Sequence, residues 1–373
     1  MRLRFSSAGS NRLGPNQRRG RPQAGGVDLR SSSLFVVFPF VLFAATTAQA
    51  ESPNAKALLD DAKGNFQPIA VPSAASDSVA AARIELGRRL FFENRVSMDG
   101  NVSCAHCHPP DKQASDGLPK AIGVFGKENP RNAPSVFNAA LNFKQHWRGE
   151  RESLEDQAEK SLLGPASFGN PDQATAMSKL KAIPAYADAF AKTFPGDKDP
   201  INSHNWGVAV GAFERTLLTP SKFDAFLNGD ASALSKQQQA GLRKFIDLGC
   251  ASCHNGAGVG GSSFQKFGMA SDYWKETGVA NPDKGRADVT KNDADLYVFK
   301  VASLRNVAKT APYFHDGSVD DLTKAVKIMG KTQLGQDLSD KDAADIVAFL
   351  DALTGPVPTN YAPPEPYPDA QEK

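Results

Sequence analysis

Two short stretches concentrate the reactive side chains of this 373-residue chain. Cys104-Ala105-His106-Cys107-His108 holds two thiols and two imidazoles, and Cys250-Ala251-Ser252-Cys253-His254 repeats the spacing. These are all the cysteines, and the remaining histidines are His146, His204 and His315. Two cysteines separated by two residues and followed at once by His form the attachment signature of a c-type haem. The spacing suits the chemistry. Two thiols add across the vinyl groups of one porphyrin edge, and the adjacent imidazole reaches the iron from one face. Zinc needs four ligands closing on one ion, which the two pairs could supply only by combining into a single four-cysteine site. A redox dithiol wants a βαβ setting, and four cysteines in an exported chain could also form two disulfides. Two copies, each with its own His in a helical setting, favour two covalent haems. The tethers are then Cys104/Cys107 and Cys250/Cys253, with His108 and His254 as proximal ligands. His106 projects off the haem edge and reads as a surface residue, while His146 and His204 read as surface or helix-end residues.

The opposite face of each iron is the informative part. Met and His are the usual sixth ligands of haem c. Beyond residue 50 the methionines are Met98, Met177, Met269 and Met329. The surroundings of the two motifs resemble each other. "LGRRLFFE" (Leu86 to Glu93) precedes the first and "AGLRKFID" (Ala240 to Asp247) the second. Arg131-Asn132, Trp147-Arg148-Gly149 and Leu154 follow the first, and Arg305-Asn306, His315-Asp316-Gly317 and Leu322 follow the second. This pattern reads as an internal duplication. Met329 lies seven residues beyond Leu322, whereas the point seven beyond Leu154 is Ser161, beside Leu162. Neither of those ligates iron. One haem closed by His254 and Met329, and one with an open face, are expected.

The elements that position these groups read as helices. "SVAAARIELGRRLFF" carries apolar residues at helical spacing, Glu152 to Leu163 begins with acid, and Asn202 to Leu218 is apolar on one face. Pro184 divides "DQATAMSKLKAIPAYADAFAKTF" into two helices. Ser339 caps a last helix with a core face of Ile346, Val347, Leu350 and Leu353, stopped by Gly355. No run of alternation is long enough to build a sheet. The expected fold is mostly α, with two cytochrome c-like haem domains related by internal duplication.

Residues 1–50 combine a basic segment, an apolar run from Leu34 and a closing Ala48-Gln49-Ala50, which reads as a signal peptide for export to the periplasm. They hold seven Arg and one Asp, so the formal charge of +2 becomes −4 without them. No nucleic-acid partner and no membrane span after cleavage are expected. Residues 51–220 are then the N-terminal haem domain, 221–355 the C-terminal haem domain, and 356–373 a Pro-rich tail, extended or disordered.

From about residue 80 to 355 the chain resembles the bacterial di-haem cytochrome c peroxidases, whose relatives include the MauG-type enzymes. The resemblance rests on "NVSCAHCH", "PRNAPSVFNAALNFKQHWRGERESLEDQA", "TLLTPSKFDAFLNGD", "GCASCHNGAGVGGSSFQKFG" and "FKVASLRNVAKTAPYFHDGSVDDLTKAVKIMG". It implies reduction of hydrogen peroxide at the N-terminal haem, with electrons from a small cytochrome c or cupredoxin entering at the C-terminal haem. It also implies a homodimer. Trp147 matches the tryptophan between the haems, Gln157 the distal glutamine, and Met329 the axial methionine where MauG has tyrosine. Asn132, Thr310 and Pro312 match the side chain and two carbonyls that hold a calcium ion. His315 matches a histidine near the domain interface, for which a structural role is expected, with electron or proton transfer as the alternative. Two positions depart from the pattern. The distal His that follows an Ile-Gly pair is absent, since Ile122-Gly123 leads into Val124 and Phe125. The distal Glu of an N-P-x-E-M stretch is replaced by Ser167 within "GPASF". An open iron, and either slow turnover or a substitute acid such as Glu150 or Glu152, are expected. The rival readings are a MauG-like oxidase acting on a partner protein, and a di-haem electron carrier with weak peroxidase activity.

Overall fold

The computed structural model describes residues 53–72 and 77–369, so the expected signal segment 1–50 lies outside the described residues, as do residues 370–373. Helix starts follow local chemistry. After α1 (Pro53–Asn65), the Asp77 carboxylate accepts from the Val79 N–H at the start of α2 (Ser78–Phe91). The one-turn α3 (Cys104–Cys107) carries the first motif. Ser153, Asp172 and Asn202 cap α4 (Leu154–Ser161), α5 (Gln173–Lys181) and α7 (Ser203–Glu214). Each cap satisfies an amide without an intrahelical partner. Pro184 opens α6 (Pro184–Thr193), where its missing N–H costs nothing. α8 (Lys222–Leu227) and α9 (Lys236–Asp247) follow, the latter closed at its start by a reciprocal Ser235–Gln238 box. Two short helices, α10 (Tyr273–Thr277) and α11 (Ala287–Thr290), precede α12 (Leu322–Leu334) and α13 (Asp340–Ala352), the last capped by Ser339 as expected. Its core face includes Phe349 beside Ile346, Leu350 and Leu353, with Val347 only half-buried. Contrary to the expectation of no sheet, β1 (Phe264–Lys266) pairs antiparallel with β2 (Val298–Lys300), Gln265 opposite Phe299. Three residues per strand are too few to leave an alternation in the sequence.

Local geometry recurs in the two halves. α2 packs on α7 so closely at Gly87 that a Cβ there would lie 1.9 Å from the Ala209 carbonyl oxygen. α9 meets α13 in the same way, a Cβ on Gly241 falling 1.8 Å from the Asp345 oxygen. Asn138 and Asn306 are both left-handed, with φ of 61° and 62°, as are Gly149 and Gly317, with φ of 63° and 61°. The counterpart of Asn306 is therefore Asn138. The shared Arg-Asn dipeptide had pointed to Asn132, but the backbone conformation, which Asn tolerates well, recurs at Asn138. These two asparagines meet at the middle of the chain. Thr219 Oγ1 accepts from Asn138 Nδ2 at 2.7 Å and donates to Asn306 Oδ1 at 3.0 Å, and Gly355 N–H reaches the same Asn306 oxygen at 3.2 Å.

The ends of the chain cross over. One hydrophobic core is built from Leu86 to Leu217 together with Tyr361, the other from Phe223 to Leu353 together with Leu58, Leu59, Ala62 and Phe66. α1, counted above with the N-terminal domain, thus packs into the C-terminal core. The tail through Asp369 is extended and docked. Arg88, Arg89 and Arg95 donate to the carbonyls of Ala362, Glu365 and Tyr367. Tyr361 is 2% exposed, stacked on Phe213 and edge-on to Phe91 and Phe137.

Candidate functional site

The four cysteines form no disulfide. His108 and His254 are half-buried, each anchored at one ring nitrogen. His108 Nδ1 lies 3.0 Å from the Ala114 carbonyl and His254 Nδ1 3.1 Å from the Ala302 carbonyl. A carbonyl only accepts, so each Nδ1 carries the hydrogen and each Nε2 keeps a free lone pair. Burial, opposed by these hydrogen bonds, pushes both imidazoles down to about 4, which keeps them neutral. A neutral imidazole fixed through Nδ1 is the state an iron-ligating histidine needs.

A cavity of about 440 Å³ lies beside the second motif. Cys250, Cys253 and His254 line it together with Met329 of α12, and Phe245, Leu338 and Leu350 supply apolar wall. Lys300, 9% exposed, also lines it, and its ammonium finds no ion-pair partner among the described residues. Burial pushes that lysine down to about 8. An apolar slot with thiols at one edge, His and Met along its wall and an unpaired cation fits a haem, whose carboxylate edge would pair with the lysine. Trp147, His315, Asn132, Thr310 and Pro312 line the same cavity, so it reaches the junction of the two halves. The Trp147 Nε1–H donates to the Asn132 carbonyl at 2.9 Å, and the Asn132 Nδ2 donates to the Leu118 carbonyl at 2.8 Å. The Asn132 Oδ1 accepts no hydrogen bond among the described residues. Amide and carbonyl oxygens are donors for a hard cation; no cluster of three His, Cys, Asp or Glu side chains among the described residues offers an alternative metal site.

At the first motif, the Ile122 carbonyl lies 3.0 Å from His106 Nε2 and 3.9 Å from Cys107 Sγ. His106 is exposed and is accounted for by that contact. The Tyr361 hydroxyl of the docked tail donates to the His108 carbonyl.

A model of the di-haem cytochrome c peroxidase family matches residues 81–232. The cytochrome c551 peroxidase of Pseudomonas aeruginosa is 40% identical over 334 residues, 88% of this chain and 94% of that protein. The chain belongs to the di-haem cytochrome c peroxidase family. MauG of Methylorubrum extorquens is 32% identical over 83% of this chain and 88% of its own. Among solved structures, a MauG-like protein associated with microbial copper homeostasis superposes with a TM-score of 0.69 at 28% identity, covering 80% of this chain and 96% of that one.

Within this peroxidase family the two departures from the sequence pattern turn out to be neighbours. The Val124 N–H donates to the Ser167 carbonyl at 3.1 Å, on a loop that begins at Ile122 beside the first motif. Gly123 allows the approach, since a Cβ there would lie 2.0 Å from the Ala166 oxygen. Val124 is fully buried and Phe125 turns out to solvent. Gln157 sits half-buried on α4, and Ser161 uses its hydroxyl on the Ala158 carbonyl. Of the two acids near in sequence, Glu152 is exposed and pairs with Lys144. Glu150 is half-buried; burial opposes its charge, but His146 and Arg148 outweigh this and hold the carboxyl well below its usual range. It is ionised at neutral pH and has no proton to give.

Sequence reasoning missed Glu214, at the end of α7. It is 3% exposed, its Oε2 has no hydrogen-bond partner, and it acts electrostatically on Cys104 and Tyr361. Burial, aided by Glu155 and opposed by Arg215, pushes its carboxyl up to about 8. An unfolded glutamate ionises at about 4.3. Between these values the folded protein holds a proton that the unfolded chain has lost, so this group's contribution to stability falls as pH rises from about 4 to about 8. Glu214→Gln should therefore be more stable than the parent at pH 8 and gain least at pH 4, as read from urea unfolding of the holoprotein across that range. A gain independent of pH would show that the carboxyl is ionised in the fold.

Proposed function

We propose that the protein reduces hydrogen peroxide to water, H2O2 + 2 e− + 2 H+ → 2 H2O, with electrons from a small cytochrome c or cupredoxin. One observation carries the reading: His108 and His254 each have Nδ1 engaged by a carbonyl, while a methionine lines the cavity beside the second motif and Val124 and Ser167 stand near the first. In this reading Cys104, Cys107, Cys250 and Cys253 tether two haem c groups. His108 ligates the first iron, and His254 and Met329 ligate the second. Bound there, the groups supply a redox-active iron with an exchangeable face at the first site and a closed electron-accepting iron at the second, its potential raised by the thioether. Gln157 orients peroxide by hydrogen bonding, and Trp147 lies between the two sites, its indole held by the Asn132 carbonyl. The Asn132 side chain and the carbonyls of Thr310 and Pro312 hold one calcium ion, with water completing the shell. The protein acts in the periplasm after loss of residues 1–50, and as a homodimer. No helix among the described residues is long and apolar enough to cross a membrane.

Steady-state peroxide reduction with a reduced small cytochrome c tests the reading; turnover no faster than free haem would overturn it. Because Val124 offers no ligand, the oxidised holoprotein should show one high-spin and one low-spin ferric signal by EPR, and low-spin iron alone would contradict the open face. A MauG-like oxidase is the second reading. It draws support from Ser167, which replaces an acid that peroxide reduction uses, and is opposed by Met329.

A further inference from the structure

Trp147 is the inner end of a file of aromatic rings. Its ring centroid lies 6.4 Å from that of His315, which lies 5.5 Å from Tyr273. Tyr273 lies 5.3 Å from Trp274 and 6.3 Å from Tyr297, and these two are 4.6 Å apart. All the spacings fall within the range of aromatic contact. Tyr273 and His315 are buried, whereas Trp274 on α10 and Tyr297 before β2 are partly exposed. The file therefore begins at the wall of the cavity shared by His254 and Met329 and ends at solvent. Phe267 and Phe299 flank it, at 4.4 Å from Tyr273 and 4.2 Å from His315, and keep its middle dry. Leucine or phenylalanine would fill such a core without any polar tip to satisfy. Tryptophan and tyrosine are instead the side chains that give up one electron most readily, and here they occupy both ends of the file and the step between. His315 packs in the one gap, between Trp147 and Tyr273.

We propose that Trp147, His315, Tyr273 and Trp274, with Tyr297 beside the last, form a relay that carries oxidising equivalents from peroxide reduction to the surface, where small phenols are oxidised. The relay rests on the peroxidase reading and adds to it a second class of electron donor. Only electrons travel through the interior. At the surface a phenol loses one electron and its hydroxyl proton to become a phenoxyl radical. Two such events supply the two electrons that cleave the O–O bond of one peroxide, and the two protons released balance the two consumed. The sum is H2O2 + 2 phenol → 2 H2O + 2 phenoxyl radicals. Without a phenol, the end of the relay is itself consumed, Trp + H2O2 → oxygenated Trp + H2O.

The test uses the holoprotein, hydrogen peroxide and either guaiacol or a reduced small cytochrome c. With peroxide alone, peptide mass spectrometry should find the added oxygen on Trp274 ahead of the other partly exposed aromatic residues. Trp274→Phe with Tyr297→Phe should lose about tenfold or more in guaiacol oxidation and keep cytochrome-driven peroxide consumption within about twofold. Oxygen scattered over other residues, or guaiacol oxidation unchanged in the double variant, overturns the relay. Failure of cytochrome-driven turnover in the parent strikes the peroxidase reading instead, because that arm does not use Trp274.

Discussion

Ser167→Glu should raise kcat/KM for hydrogen peroxide by about 10²–10⁴-fold, the usual worth of a positioned general acid–base group. Splitting peroxide requires a proton to pass from the oxygen that stays to the oxygen that leaves. Serine titrates far from neutral pH and Gln157 does not titrate at all, so neither performs that transfer. Glu150 is held ionised by His146 and Arg148, and Glu152 is engaged by Lys144 at the surface. A carboxyl at position 167 would stand beside Val124, on the loop next to the first motif. The Ser167 Cβ is 2.8 Å from where a Gly164 Cβ would be, so Gly164 must be kept for the longer side chain to find room. Ser167→Gln is the matched control, equal in size without the proton. If both variants turn over at the parent's rate, another group already moves the proton.

Asp224→Ala should cost about 3–5 kcal/mol of stability, the penalty for leaving one member of a buried ion pair alone. Arg305 and Asp224 form a two-pronged pair at 2.6 and 2.9 Å, with the arginine side chain fully buried. The same carboxylate accepts from Ile69 N–H at 2.7 Å and Ser221 N–H at 2.7 Å, while the Arg305 Nε donates to the Ala257 carbonyl at 2.9 Å. One cluster thus ties the segment after α1, the start of α8 and the loop after the second motif. Chemical unfolding of the holoprotein reads the loss. The double change Asp224→Leu with Arg305→Met should recover much of it, because an apolar replacement leaves no unpaired charge. A loss within about 1 kcal/mol for Asp224→Ala would place the pair among the weak surface type.

What could be read from the sequence was local. The CxxCH motifs, the Pro184 break and the Ser339 cap each depend on a few adjacent residues, and all three are where expected. Long-range placement was not legible. Nothing in α1 or the residue after it says that Leu58, Leu59 and Phe66 share a core with Phe223 and Phe245. Composition marked the tail as Pro-rich, but Tyr361 and three arginines of the first half hold it docked. The asparagine pairing slipped because identity of a dipeptide outweighed a backbone torsion that the sequence does not display. Glu214 was overlooked because its helix reads as an apolar face ending in charge, and only the packed structure shows that this charge is turned inward. At the site itself, the sequence gives residue types for Val124 and Ser167, while their adjacency comes from one hydrogen bond between distant loops.

The crossing of the two ends makes the surroundings of the first motif depend on a residue far along the chain. A ribosome makes the Leu86–Leu217 core long before it makes Tyr361, yet the ring of Tyr361 fills the space among Phe91, Phe137 and Phe213, and its hydroxyl meets the His108 carbonyl. A nascent chain that stops anywhere before residue 361 leaves a hole in that core and an unanswered carbonyl beside the first motif. The Leu86–Leu217 core is therefore complete only when Tyr361, from far along the chain, has packed into it.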